Sequence, residues 1–311
     1  MKIVATIPAR NEAWCLGLTA RAALQWCDGI ALLDNGSTDE TFRIATELVG
    51  EYPGRVSVDQ ISGEWREMEH RQILLRNARE MGATHIALID ADEIVSGNLI
   101  PRMRGWCDAL AENWALELPQ INVRGGIHTM HAKGVWAEQH TLTVFRDDPR
   151  YHWKAAGDGY QHHHRGPAGA LFRNFRGCQR KDGGLIHLQM ASEERMRYKQ
   201  WLYQLSDYLR WPERRTPEQL RQYYSLSVYG FVPLVRPTTY NSWRFAKEMT
   251  GLGPVPATWW EPYRDILKHL HLDAEPWQRA ACREIMEQHP ELADAGFDDF
   301  GMRTHERVTQ S

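Results

Sequence analysis

Short, unbroken apolar runs mark the first third of the chain. Ile3-Val4-Ala5-Thr6-Ile7, Ile30 to Leu33 and Ile86 to Ile89 carry almost no polar interruption. Runs this short suit strands covered on both faces. Between them the period changes. Leu16, Thr19, Ala20, Ala23 and Leu24 fall near helical spacing, as do Arg71, Leu74, Leu75 and Ala78 in an amphipathic stretch from Glu67 to Met81 closed by Gly82. A helix running to about Val49 follows Ser37 or Thr38, either of which can cap it, and Val56 to Asp59 adds a third strand. Strands alternating with helices predict parallel β-α-β units.

The pattern shifts after Pro101. Ala115 to Leu118 and Ile121 to Val123 read as strands around Pro119, Thr141 to Phe145 alternates, and Leu185-Ile186-His187-Leu188 is a last short strand. Asp147 to Gly184 is rich in glycine, histidine and basic residues and reads as loops around a site. Ser192-Glu193-Glu194-Arg195 opens a helix to about Arg210, and the remainder is helical and punctuated by proline. This predicts one α/β domain over 1–190, with acceptor-side loops at about 124–184, and a helical region over 191–311.

Polar motifs close the apolar runs. Pro8-Ala9-Arg10-Asn11-Glu12 follows the first strand and Asp34-Asn35-Gly36-Ser37-Thr38-Asp39 the second. Asp90-Ala91-Asp92-Glu93 follows the strand Ile86 to Ile89. Each has an ordinary reading: a connection, an Asx turn with a helix cap, an acidic turn. Asp39 fits service to a helix N-terminus. Each also has a chemical reading. Asp34 can accept from a base N–H or ribose hydroxyls, and two hard oxygen ligands at Asp90 and Asp92 suit Mg²⁺ or Mn²⁺ on phosphates. Parallel strands put all three motifs on one carboxyl rim, where open α/β sheets bind ligands. Three independent loops explain that convergence poorly.

Bulk properties exclude little. The 311 residues are 42% hydrophobic and 25% charged with a formal net charge of -3, so no overall field points to nucleic acid or membrane. Cys15, Cys27, Cys107, Cys178 and Cys282 are scattered without a Cys-x-x-Cys, which reads as reduced thiols in a cytoplasmic protein. No apolar run approaches a membrane span, and Met1-Lys2 leads directly into the first strand with no secretory signal pattern.

The stretches IPARNE, LLDNGSTDET, HRQILLRNARE and ALIDADE, in this order, resemble the nucleotide-sugar half of family 2 glycosyltransferases with the GT-A fold. The resemblance covers roughly the first hundred residues. It implies a Rossmann-like, mostly parallel sheet flanked by helices, and transfer of a sugar from a nucleoside diphosphate to an acceptor hydroxyl, with inversion. Carried over, Pro8, Arg10 and Glu12 lie near the nucleobase and Asp34 reads base or ribose. Arg71 approaches base or diphosphate. Asp90 and Asp92 attend the metal, with Asp92 the direct ligand, and His187 is a third ligand. Thr141 to Trp153 resembles the segment that leads to a His-Glu pair in relatives. Here the Glu is missing, which leaves Asp158, Glu138 and His163 as candidates for the general base. His162-His163-His164 reads as a site-lining loop rather than zinc ligands, since consecutive residues rarely converge on one metal.

Basic residues outnumber acidic ones from Arg146 to Lys181 and interleave with aromatics. That suits a diphosphate, and also an anionic acceptor such as nucleic acid. Saccharide, protein and small-molecule acceptors stand beside it, and the oligomeric state is not legible. A nucleotidyltransferase on a related sheet is the first alternative, although such enzymes carry a glycine-rich, Lys-bearing loop after the first strand. A non-catalytic nucleotide-sugar or glycan binder is the second.

Overall fold

The structure, a computed structural model, describes residues 1–153, 165–168, 172–229 and 251–297. It comprises two compact units. The first is built from Met1–Asn122, Glu138–Leu188 and Val255–Leu272, the second from Val123–Ala137, Gln189–Pro254 and Asp273–Ser311.

A nine-stranded sheet forms the first unit. Its strands are β1 (Ile3–Ala9), β2 (Gly29–Asn35), β3 (Val56–Ile61), β4 (His85–Leu88), β5 (Glu93–Val95), β6 (Trp114–Asn122), β8 (His140–Arg146), β9 (Arg173–Arg176) and β10 (Leu185–His187). The spatial order is β3-β2-β1-β4-β8-β6-β10-β5, with β9 also on β6. The first four strands are parallel, while β8 runs antiparallel to both β4 and β6. The order 3-2-1-4 is half of a doubly wound sheet. The chain changes direction across it between β1 and β4, the place where open α/β sheets bind ligands at the strands' carboxyl ends.

Alternation sorts the strand residues onto two faces. Ile3, Ala5, Ile7, Ile30 and Leu32 pack with Leu16 and Ala20 of α1 (Leu16–Ala23), Leu48 of α2 (Thr41–Glu51) and Met103 of α4 (Ile100–Asp108). Val4, Ala31, Leu33, Ile86 and Leu88 pack under Leu74, Leu75 and Ala78 of α3 (Glu67–Glu80). Burial on both faces explains the continuous apolar runs.

Two prolines lie inside strands that the sequence would end or split at them. β1 runs through Pro8 to Ala9. Thr6 O accepts from Ile89 on the β4 side, so Pro8, two residues on, also turns its nitrogen to that side. The β1–β4 pairing stops at Thr6 and Leu88, and no ladder bond needs the N–H that proline lacks. Likewise β6 is one strand through Pro119. β9 pairs with Trp114 to Glu117 and β10 with Gln120 to Asn122, and Pro119 falls in the gap between them.

The second unit contains α5 (Glu193–Arg210), α6 (Pro217–Tyr229) and α7 (Trp277–Gln288), together with the antiparallel pair β7 (Thr129–His131) and β11 (Leu252–Pro254). Ser192 caps α5 by accepting from Arg195 N, and Leu205, Leu220, Tyr224 and Cys282 form the helical core. Among the described residues no helix is long and apolar enough to cross a membrane.

Candidate donor site at the carboxyl rim

Side-chain hydrogen bonds stitch the first two rim loops together. Asn11 has a φ of 54°, a left-handed conformation that asparagine tolerates better than most residues. Its Oδ1 accepts from Thr38 N at 2.7 Å and Asp39 N at 3.3 Å, and its own N–H donates to Ser37 Oγ at 2.8 Å. Glu12 N donates to Thr41 Oγ1 at 2.7 Å and Ala13 N to Asp39 Oδ2 at 3.2 Å. Neither Ser37 nor Thr38 caps α2, because both are engaged in this seam. The N-cap is Glu40, which makes no side-chain cap bond; Asp39, just before it, accepts from Thr41 N at 2.9 Å with Oδ1.

Asp34 is fully buried at the end of β2. It accepts from Ser37 N, from the Ser37 hydroxyl and from Gln60 Nε2 at 3.0 Å. It is therefore a loop organiser whose oxygens already have partners. Neighbouring Asn35 alternates to the α3 face, is 1% exposed, and both polar atoms of its amide are buried without a partner. Pro8 is buried within β1. Arg10 is half-buried and donates weakly to Gly63 O at 3.4 Å. Glu12 Oε2 accepts from Trp14 Nε1 at 2.6 Å.

The Asp-Ala-Asp-Glu turn between β4 and β5 forms the centre. Cys15 supports it from below, its thiol 3.1 Å from Ala91 O. Glu93, 1% exposed, accepts from Asp90 N at 2.9 Å and from both terminal nitrogens of Arg165. Arg165 also donates to Leu88 O at 2.5 Å and to Asp90 Oδ2 at 3.3 Å. Arg71 reaches the other oxygen, Asp90 Oδ1, at 3.2 Å while pairing with Glu67. Burial pushes the Asp90 carboxyl up, but Arg165 and Arg71 outweigh it and hold the group below its ordinary range.

Asp92 sits on the other side of the turn. Its Oδ2 lies 3.4 Å from His187 Nε2, and Leu188 N donates to Asp92 O at 2.8 Å. The His187 ring is fixed at Nδ1 by Asn122 Oδ1 at 3.0 Å and Gln120 Nε2 at 2.9 Å. Nδ1 can donate to Asn122 Oδ1 or accept from Gln120 Nε2, but not both at once; in the first tautomer the Nε2 lone pair turns toward Asp92, the arrangement usual for a metal-ligating histidine. Two ligands at about 2.1 Å from one cation lie about 3.0–3.4 Å apart.

The donor set therefore fits a divalent cation on Asp92 and His187. Among the described residues no three His, Cys, Asp or Glu side chains converge to hold a metal. The remaining coordination positions would belong to phosphate oxygens and water, as is usual for Mg²⁺. Charge points the same way. Among the described residues, Arg71 pairs with Glu67 and Asp90, and Arg165 with Asp90 and Glu93; added negative charge here would suit a divalent cation. Buried N–H groups without partners, Arg71 Nη1 and Arg165 Nε, suit phosphate oxygens.

His70, one turn into α3, packs edge-on against Trp65 at 4.9 Å. Burial pushes its imidazole down to about 4. Of the base candidates, Glu138 is exposed ahead of β8, while Asp158 and His163, with the rest of the His162–His164 run, lie outside the described residues. Asn11, Glu93 and Arg165 are absent from the residues that sequence patterning singles out for the site. Asn11 and Glu93 lie within motifs that the sequence marks, an asparagine at a turn and one more acid in an acidic turn; Arg165 acts through contacts remote in sequence.

The strand order and the polar rim define a mostly parallel α/β protein with its charged side chains gathered at the strands' carboxyl ends. No family model and no curated protein matches the chain. S. aureus TarS aligns over 74% of this chain and 43% of that one, at 10% identity and a TM-score of 0.39. TarS 1-349 in complex with UDP-GlcNAc aligns over 73% and 72%, at 12% identity and 0.36. Glucosyl-3-phosphoglycerate synthase from Mycobacterium tuberculosis, in complex with Mn²⁺, uridine diphosphate and glucosyl-3-phosphoglycerate, aligns over 40% and 45%, at 20% identity and 0.28. The chain thus spans less than half of the full TarS and of the synthase. Identity and TM-score are both low.

Proposed function

We propose that the chain is a metal-dependent glycosyltransferase that moves a sugar from a nucleoside diphosphate to an acceptor hydroxyl, with inversion. The observation that carries this reading is the juxtaposition at the β1–β4 switch point. An Asp92–His187 pair suited to a cation lies beside two guanidiniums with unpartnered N–H groups. When bound, Mn²⁺ or Mg²⁺ would offset the charge developing on the leaving diphosphate. Arg71 and Arg165 bring positive charge to the same point from a water-poor setting. The Asn11 seam holds the first two rim loops as one wall for the nucleoside, with Arg10, Glu12 and Asp34 in it.

A general base near the anomeric carbon completes an inverting site. Glu138, Asp158 and His163 are the candidates. The acceptor is a saccharide, protein, small molecule or nucleic acid; the basic, aromatic stretch from Arg146 to Lys181 supports including nucleic acid among those tested. The five cysteines are free thiols and fit a cytoplasmic setting.

The test is incubation of the purified chain with Mn²⁺ and a panel of nucleoside diphosphate sugars, reading nucleoside diphosphate release with and without Asp92→Asn. Release by the native chain and its loss in the variant are expected. Equal turnover by the variant would remove the cation assignment. Pyrophosphate release would instead mark a nucleotidyltransferase, and tight nucleotide binding with no release across the panel a non-catalytic binder.

A further inference from the structure

We infer that Arg165 is a positioning residue that decides which carboxylate of the Asp-Ala-Asp-Glu turn serves the cation. The inference rests on the metal-diphosphate reading above and adds a division of labour within it. Four carboxylate oxygens on Asp90 and Glu93 face the turn, and guanidiniums engage all of them. Arg165 spans both Glu93 oxygens and Asp90 Oδ2, and Arg71 takes Asp90 Oδ1. Arg165 is further anchored at Leu88 O, the last residue of β4, and Glu93 is tied back to Asp90 N. This closed ring of contacts fixes the backbone of the turn from residue 88 to residue 93.

One consequence is geometric and another electrostatic. The fixed turn brings Asp92 to the His187 ring, which Asn122 and Gln120 contact at Nδ1. A guanidinium against each Asp90 oxygen makes that carboxylate a poor ligand, since a dication would have to approach two fixed positive charges. Asp90 therefore orders the two arginines, while Asp92 and His187 hold the metal. One aspartate of the motif is thus a cation ligand and the other a guanidinium anchor.

Metal affinity in the protein alone tests this. Mn²⁺ binding is followed by electron paramagnetic resonance of the free ion, first with no nucleotide and then with uridine diphosphate as phosphate probe. In the otherwise native chain, Asp92→Asn lowers Mn²⁺ affinity by about tenfold or more, while Asp90→Asn leaves it within about twofold. Removing the guanidinium transfers the load. In an Arg165→Met, Glu93→Gln background, which leaves no buried charge unpaired between those two positions, Asp90→Asn costs about fivefold or more, on the same scale of ligand-shell effects. A merely structural arginine would not create that new dependence. Circular dichroism confirms that each variant is folded, and Arg165→Lys with Glu93 retained serves as the milder version. Equal losses from Asp90→Asn and Asp92→Asn in the native background would overturn the inference while leaving the metal-dependent reading intact. No Mn²⁺ binding by the native chain, with or without uridine diphosphate, would overturn both.

Discussion

Replacing Asn11 by alanine removes the seam between the first two rim loops, and its cost can be worked out from the contacts. Asn11 is 4% exposed, and its Oδ1 is the acceptor for Thr38 N and Asp39 N. Each orphaned amide costs about 1–3 kcal/mol. Thr38 is exposed, so water can reach part of the gap, and the low end, about 1 kcal/mol for each donor, applies. Alanine must also hold a φ of 54°, at about 1 kcal/mol. The expected loss is about 3 kcal/mol, or about 1 M in urea midpoint for an m-value near 3 kcal/mol/M. Asn11→Gly loses the acceptor but not the backbone compatibility, so about 2 kcal/mol is expected. The order native, glycine, alanine is the diagnostic result. It should be matched by weaker nucleoside diphosphate binding in both variants, measured by calorimetry under conditions where they remain folded. An alanine variant within about 0.5 kcal/mol of native, or a glycine variant less stable than alanine, would refute the reasoning.

Other consequences concern the strand that carries His187, a buried imidazole and the helical unit. A Cβ at Gly184 would lie 2.1 Å from Pro119 O and 2.9 Å from Ile121 Cγ1. Gly184→Ala should therefore cost about 3 kcal/mol or more by prising β10 from β6, read as a lower melting temperature with weakened Mn²⁺ binding. His70 has a folded pKa of about 4 against an ordinary 6.5. Its neutral form contributes stability that is complete above about pH 6.5 and lost as pH falls toward 4, because the unfolded chain binds the proton first. The native chain should lose more stability than His70→Gln over that window in urea titrations; parallel curves would remove His70 from the account. In the helical unit Tyr224 Oη donates to Asp207 Oδ2 at 2.6 Å in a buried setting. Tyr224→Phe should cost about 1–3 kcal/mol and lower the melting temperature without moving Mn²⁺ affinity.

Sequence alone determined the parallel half of the sheet and its polar rim. Strands buried on both faces leave continuous apolar runs, and helices between them leave a different period, so both are legible without coordinates. The same logic placed Asp34 and the Asp90–Asp92 pair at strand ends. Local chemistry also marked Asp39 for a helix start and Ser192 as the opening of one. Pro8 and Pro119 misled a local reading, because whether a strand tolerates proline depends on which neighbour faces its nitrogen. That is a property of the assembled sheet.

Tertiary structure decided the contacts at the rim. Asp34 and Asp90 look like ligand-facing carboxylates in sequence; contacts 26 and 75 positions away, to Gln60 and Arg165, occupy them. Glu93 reads as one more acid in an acidic turn, yet it is 1% exposed and tied to a guanidinium 72 positions further along. His187 gains its orientation from Gln120 and Asn122 on the adjacent strand. Burial and charge pairing set what a carboxylate can do, and both are fixed by residues that the chain brings together only on folding.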